Sequence, residues 1–483
     1  MFPLGPHAAT LSASAAATAN FTGNFIVFPA LETDRKATAM PVPAQSRAAV
    51  SVGRRAGAAY DVPMNKATPL PAFARPAFVD AARAEFEAAV AAHPDIECVD
   101  AVVVDIAGTM RGKRLPLAEA ARLFDTGMQL PRSVYLMDVK GEMVNPFDRG
   151  VGDGDPDGTA WPVPGTLSRV WGEGGKRLQL LATMRNEDGA PTGGEPRAAL
   201  ERVLERFADH RLTPVIALEL EFYLIDRARD ANGAPLPPLC PRSGRREKDN
   251  AVYSIDDLDR YAVFHAALGE AARLQGIPVS GASSEYAPGQ FEINLHHQAD
   301  ARRAADHAVF LKQVVKAAAR ASGFEATFMA KPYPDRIGSG LHIHASILDA
   351  DGRNIFDDGS AEGSERLRHA IAGLQALMPE SMALFAPAIN SYRRFEPDMF
   401  APVNRRWGVN NRSAGLRVPV GRVRAAASSI APPAPTPIPI SRPPPCSRDC
   451  ITGWSASSIP ARRPPATSRA SRTARCPSRW TTR

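Results

Sequence analysis

The sequence predicts an α+β fold divided between a small N-terminal unit and a larger second one. Two patterns carry this: apolar residues recur at helical spacing in a few separated segments, and short strands lie between and after them. Composition is the third observation. With 44% hydrophobic and 7% aromatic residues among 483, the chain can bury a sizeable core, which excludes collagen-like, fully disordered and small disulfide-scaffold classes. At roughly 150 residues per domain the length admits up to about three domains. Of five Cys only Cys98 and Cys240 precede residue 422, which fits a reducing compartment and no disulfide framework. No stretch approaches the roughly 18 consecutive apolar residues of a membrane span, and no compact secretory signal opens the chain. A cytoplasmic protein without a membrane partner is expected.

Taken in order, the first 63 residues are rich in Ala, Ser, Thr and Pro without a sustained apolar period, so 1–75 reads as a disordered leader, with Met64 as the working start. A transit peptide is the competing reading, weakened by Glu32, Asp34 and Asp61. Phe78, Ala82, Phe86 and Val90 then predict a helix that Pro94 stops. Cys98 to Ile106 is a Val-rich strand that turns at Ala107-Gly108 into a second extended piece, Met110 to Pro116. Asp155-Pro156-Asp157-Gly158 and Pro162-Val163-Pro164 read as loop punctuation before the larger unit. A second helix opens at Glu195-Pro196 and presents Leu200, Val203, Leu204 and Phe207; a third runs from Ala304 to Ala321. The expected units are 76–190 and 191–421.

Three short strands share one design. In Ile216 to Leu224, Ile216, Leu218, Leu220, Phe222 and Leu224 take one face and Glu219, Glu221 and Tyr223 the other, because strand side chains alternate. In Phe291 to His296 the apolar face is Phe291, Ile293 and Leu295, opposite Glu292, Asn294 and His296, with Glu285 just upstream across Ala287-Pro288-Gly289. In Leu341 to Ile347, His342, His344 and Ser346 oppose Leu341, Ile343, Ala345 and Ile347. Any one of these alone reads more simply as a solvated outer face. Together they gather four carboxylates and an imidazole on one surface, which repel unless cations lie between them. Hard carboxylate ligands with imidazole suit Mg²⁺ or Mn²⁺, the ions that commonly neutralise phosphoryl oxygens.

An anionic substrate needs cations too. Asn390-Ser391-Tyr392-Arg393-Arg394 and Asn411-Arg412-Ser413-Ala414-Gly415-Leu416-Arg417 place Arg in apolar surroundings, where its planar fork can grip carboxylate or phosphate. There is no G-x-x-x-x-G-K-[ST] loop, no H-E-x-x-H helix and no paired C-x-x-C, so a nucleotide is not held by a P-loop.

From about residue 95 to 420 the chain resembles glutamine synthetases and their amine-using relatives, the γ-glutamylpolyamine synthetases. The resemblance is carried by Glu219-x-Glu221, Glu285-Tyr286-Ala287-Pro288-Gly289-Gln290-Phe291-Glu292, Lys331-Pro332 with Gly338-Ser339-Gly340-Leu341-His342-Ile343-His344-Ala345-Ser346, Asn390-Ser391-Tyr392-Arg393-Arg394, and Asn411-Arg412-Ser413. It implies a β-grasp N-terminal domain, a catalytic domain with a curved antiparallel sheet flanked by helices, and ring-shaped homo-oligomers with active sites between subunits. It also implies ATP-dependent ligation of glutamate to an amine through γ-glutamyl phosphate, with two to three Mg²⁺ or Mn²⁺ ions per site. By the family pattern Glu221, Glu285 and Glu292 hold one ion and Glu219 and His342 another; Gly338 and Arg394 hold glutamate; Arg412 and Arg417 hold ATP phosphates. His344 and Ser346 line the nucleotide site, Lys331 supports it, and Arg394 and Arg412 are the catalytic cations.

Two departures from the family follow. Ammonia-using members carry a flap Glu before an Ala-Pro pair, where this chain has Phe400 before Ala401-Pro402, and a second ammonium-binding acid has no counterpart near Leu130-Pro131-Arg132. An apolar ring suits an alkylamine such as putrescine, so γ-glutamylation of an amine is expected ahead of glutamine formation from ammonia; an inactive, truncated member is the other alternative. After Gly421 the family's Arg-Arg-Ile-Glu-His-Arg segment is missing, yet codons exist for Ala427-Ser428-Ser429-Ile430-Ala431 that give Ile-Glu-His-Arg in a shifted frame. Residues 422–483, with eleven Arg, twelve Pro and one acid, read as a disordered, frame-shifted tail. That tail carries +10 of a chain total of +7; residues 1–63 carry +2, leaving 64–421 at −5. The body is acidic, and no nucleic-acid partner is expected for it.

Overall fold

The α+β class is borne out. The computed structural model describes residues 75–143, 152–360, 363–396, 399–419 and 428–430. The leader before Arg75 and the tail after Ile430 lie outside these residues.

The first unit holds helix α1 (Val79–Ala92), strands β1 (Cys98–Val104) and β2 (Met110–Pro116), the single-turn helices α2 (Leu117–Ala120) and α3 (Leu123–Thr126), and strands β3 (Met128–Pro131), β4 (Asp157–Pro162), β5 (Ser168–Arg169) and β6 (Arg177–Arg185). Its sheet runs β2-β1-β6-β4-β3, with β5 also on β6. All its pairs are antiparallel except β1 with β6. One expectation fails here. Asp157-Gly158 and Pro162, read as loop punctuation, belong instead to β4, an inner strand whose Thr159, Ala160 and Trp161 are buried. The turn residues misled because β3 pairs only with 157–160, so Pro162 has a strand on one side alone and its missing N–H is tolerated.

The expected hairpin is present and is tied to the second unit. Asp105 is fully buried; its carboxylate accepts from Ala107 N at 2.9 Å, Thr109 N at 2.8 Å and Arg111 Nε at 2.6 Å, closing a turn in which Gly108 takes φ +68°. The Gly108 carbonyl accepts from the buried Lys312 Nζ at 3.2 Å.

The second unit contains α4 (Pro196–Asp209), β7 (Thr213–Ile225), α5 (Ile255–Arg260), α6 (Ala262–Leu274), β8 (Val279–Ser284), β9 (Gln290–Leu295), α7 (Ala301–Ala321), β10 (Glu325–Thr327), β11 (Leu341–Leu348), α8 (Glu365–Phe385), α9 (Ile389–Tyr392), β12 (Trp407–Val409), β13 (Leu416–Val418) and β14 (Ser428–Ile430). Pro196 opens α4, where its missing N–H is no loss. α7 begins three residues earlier than expected because Asp300 caps the Arg302 and Arg303 amides. α6 and α8 are helices that the apolar spacing did not single out. The sheet order is β12-β13-β14-β11-β7-β9-β8, with β10 on β7. It is antiparallel as expected apart from the parallel pair β12 and β13. β14 corrects the reading of 422–483 as wholly disordered: Ser428–Ile430 pair with β11 and β13, using backbone groups that any sequence supplies.

Behind this sheet lies the larger core. Leu218, Leu220, Phe222, Leu224, Phe291, Ile293, Leu295 and Leu341 pack against Phe264 and Leu268 of α6 and Phe310, Leu311, Val314 and Val315 of α7. Each such side chain contributes roughly 1.5–3 kcal/mol on burial, which fixes the strand faces and turns every alternate residue toward the opposite surface.

Candidate active site

Register decides what meets on that surface. β7 lies between β11 and β9, so Glu219 stands opposite His342 on one side and Asn294 on the other, while Glu221 stands opposite Glu292. His342 Nδ1 lies 3.3 Å from Glu292 Oε2, 3.4 Å from Glu219 Oε2 and 3.9 Å from Glu221 Oε1. His344 Nε2 approaches Glu219 Oε1 at 3.0 Å. Ser283 Oγ on β8 donates to Glu285 Oε1 at 3.3 Å and lies 3.5 Å from Glu292 Oε1, and Asn294 Nδ2 donates to Glu292 Oε1 at 3.0 Å. Glu219, Glu292, His342 and His344 are all buried.

Like charges directly opposite across a ladder are destabilising, and burial adds to the cost of charging this group. Burial, then the Glu221 and Glu292 charges, push the Glu285 carboxyl up to about 9. Burial likewise raises Glu221 against the pull of His342. Glu292 alone is lowered: burial opposes this, but the hydrogen bond and charge of His342 outweigh it. The imidazole moves up in turn, its desolvation overcome by Glu292, Glu219 and Glu221. Among the described residues, the buried Glu219 Oε2 accepts no hydrogen bond. Ligand atoms of Glu219, Glu292 and His342 lie within 4.8 Å of one another, so two carboxylate oxygens and an imidazole nitrogen converge as a divalent ion requires.

Beside the carboxylates runs a glycine loop. A Cβ on Gly338 would meet Ala330 O at 2.4 Å and Arg394 Cγ at 2.5 Å, and one on Gly340 would lie 3.1 Å from Arg394 Nη2 and 3.4 Å from Glu221 Oε1. Only glycine lets the Arg394 guanidinium come this close. Arg394 is buried, which lowers its pKa, with Glu221 as its opposing charge. Arg417 on β13 is buried too and is pushed down to about 9 by burial and by Arg412. Arg412 itself is exposed, and Ser346 is half-buried on the polar face of β11. Lys331 donates to the Arg336 carbonyl and approaches Met399 Sδ at 3.4 Å, while Asn390 brackets its backbone with two hydrogen bonds of 2.8 and 2.9 Å. At the rim, Phe400 is 68% exposed, takes φ +54° and packs on Tyr286 with ring centroids 5.0 Å apart. A bulky side chain in the left-handed region is costly and marks a position held for a reason.

Residues 193–431 match the family model described as glutamine synthetase, catalytic domain. The chain is 44% identical over 329 residues to the gamma-glutamylputrescine synthetase PuuA of Escherichia coli, covering 68% of this chain and 70% of that enzyme. The chain belongs to the glutamine synthetase family. It is also 35% identical over 356 residues to the gamma-glutamylethanolamide synthetase GlnA4 of Streptomyces coelicolor, covering 71% of this chain and 72% of that one. Among solved structures, one titled "Apo GmaS without ligand" matches with TM-score 0.61 and 27% identity over 73% of this chain and 77% of that chain. The expectation of a glutamate–amine ligase of the glutamine synthetase family is thereby borne out, and the family's general use of ATP and divalent metal accords with the carboxylate cluster. The family match runs to residue 431, past the expected end of the catalytic unit at 421.

In this member of the glutamine synthetase family the structure brings Glu219, Glu221, Glu285, Glu292, His342 and His344 together, with Gly338 and Arg394 alongside. His344 turns to Glu219, into the carboxylate cluster. His296, on the polar face by alternation, is exposed because β9 ends at Leu295, and His297 instead sets its ring against His344 with centroids 6.1 Å apart. Ser283 and Gln290 also enter the site. Alternation from Glu292 finds Gln290; Ser283 reaches the site only because β8 pairs with β9.

Proposed function

We propose that the protein joins the γ-carboxylate of glutamate to an alkylamine such as putrescine, with ATP as phosphoryl donor and γ-glutamyl phosphate as intermediate. Phe400, packed on Tyr286 next to Glu285, carries the choice of acceptor: where ammonia users have a carboxylate, this rim offers two aromatic faces to an alkyl chain and its far ammonium. The likeness to the putrescine- and ethanolamide-forming enzymes supports the same reading.

In this proposal Glu221, Glu285 and Glu292 hold one Mg²⁺ or Mn²⁺ and Glu219 and His342 another, with up to three ions per site. Bound metal supplies charge neutralisation at the transferring phosphoryl group. Gly338 and Arg394 hold glutamate, the guanidinium gripping a carboxylate from its buried position. Arg412 and Arg417 bind ATP phosphates, with His344, Ser346 and Lys331 around the nucleotide and Arg394 and Arg412 as catalytic cations. An oxygen of the γ-carboxylate attacks the γ-phosphorus and ADP leaves; the amine lone pair then attacks the acyl carbon, and phosphate departs with loss of the nitrogen's proton. Arg side chains fixed beforehand stabilise the charge without reorganising. A homo-oligomeric ring with sites between subunits is part of the proposal, checked by light scattering of the purified protein.

The deciding experiment is ATP- and Mg²⁺-dependent phosphate release from glutamate with ammonium, putrescine or ethanolamine as acceptor. Release with an alkylamine and not with ammonium is expected; turnover with ammonium alone sinks the proposal.

A further inference from the structure

Glu221 uses one carboxylate oxygen for its close donors. Its Oε2 accepts from Gly340 N at 2.8 Å and from Gln290 Nε2 at 3.4 Å, and Oε1 faces His342 at 3.9 Å. The Gln290 side chain is fully buried, and its amide is engaged on both ends: Nε2 also donates to the Gly338 carbonyl at 3.1 Å, and Oε1 accepts from Ala287 N at 3.3 Å. Both neighbours of the nitrogen are acceptors and the neighbour of the oxygen is a donor, so the amide has one orientation here. A single side chain thus touches a carboxylate of β7, the glycine loop 338–340 and the turn that follows Glu285.

We propose that Gln290 is a positioning residue for this site. It ties Glu221 Oε2 to the glycine loop, so that Oε1 stays turned toward His342 and Glu292, and it fixes the Gly338 carbonyl where the loop backbone meets Arg394. Hydrogen-bond partners behind a ligating carboxylate set its orientation, and their loss typically weakens metal binding about 10–100-fold. No apolar side chain can replace the amide, and a carboxylate of the same shape would set an acceptor against two acceptors. The inference deepens the ligase reading above, on which its kinetic part rests.

Gln290→Glu and Gln290→Met keep the length of the side chain and remove its donors. Calorimetric titration of the full chain with Mn²⁺ is expected to show binding weakened about tenfold or more in both variants. In turnover assays the KM for glutamate should rise by more than kcat falls. A crystal structure of Gln290→Met should show Glu221 rotated and residues 338–340 displaced. Unchanged Mn²⁺ affinity with a lowered melting temperature would mean a merely structural role and overturns the inference, as does an unmoved Glu221 in the variant crystal. If the unsubstituted chain releases no phosphate with any amine while the variant still turns Glu221, the ligase reading fails and the positioning role stands.

Discussion

Gly338 shows how a site can depend on a missing atom. A Cβ there meets both the Ala330 carbonyl and the Arg394 side chain at about 2.5 Å or less, and only the latter can move away. Gly338→Ala is therefore expected to shift the 338–340 backbone as well as Arg394, lowering the melting temperature and raising the KM for glutamate at least tenfold, measured by calorimetry and initial rates. The proposed metal ligands call for a different substitution. Glu219→Gln keeps shape and removes the charge beside His342 and His344, so Mn²⁺ affinity and phosphate release should both fall about 100-fold. Phe400→Glu tests acceptor choice: a carboxylate at the rim should raise kcat/KM for ammonium relative to putrescine, and an unchanged ratio removes Phe400 from the specificity argument.

At the scale of elements, the buried Glu195 joins the two units. It precedes α4, and its carboxylate accepts from Thr183 Oγ1 at 3.1 Å and Met184 N at 3.3 Å on β6. Burial holds its proton up to about 7. The unfolded chain releases that proton near the usual carboxylate value, so between roughly pH 4.5 and 7 the native state binds more protons and stability falls as pH rises. The loss is on the order of 3 kcal/mol once pH exceeds 7. Melting temperatures from pH 4 to pH 8 should fall less steeply for Glu195→Gln than for the unsubstituted chain; parallel curves would discount this carboxyl. The sequence shows β7, β9 and β11 through alternation, which needs only local residues, but not strands such as β4, whose turn-like Asp157-Gly158 hides an inner strand made by its neighbours.

For the whole molecule, the +7 net charge describes no surface of the folded body. If the tail is a frame-shifted reading, resequencing codons 418 to 426 should find a single-base insertion or deletion, and a chain with the frame restored should release phosphate at least tenfold faster than the chain as written; an intact frame refutes it. β14 pairs Ser429 with His344 and Arg417 across two ladders. By itself the sequence determined the α+β class, the polar face of each strand and the family, because alternation and ordered motifs are properties of neighbouring residues. Which residues oppose one another was decided only by tertiary structure. Glu219, Glu292 and His342 are separated by 73 and then 50 positions and meet because β7 is paired on both edges, in a register set by the apolar residues packed behind it. The end of β9 at Leu295 left His296 exposed, the β8–β9 pairing brought Ser283 in, and the fold gave Gln290 its three partners.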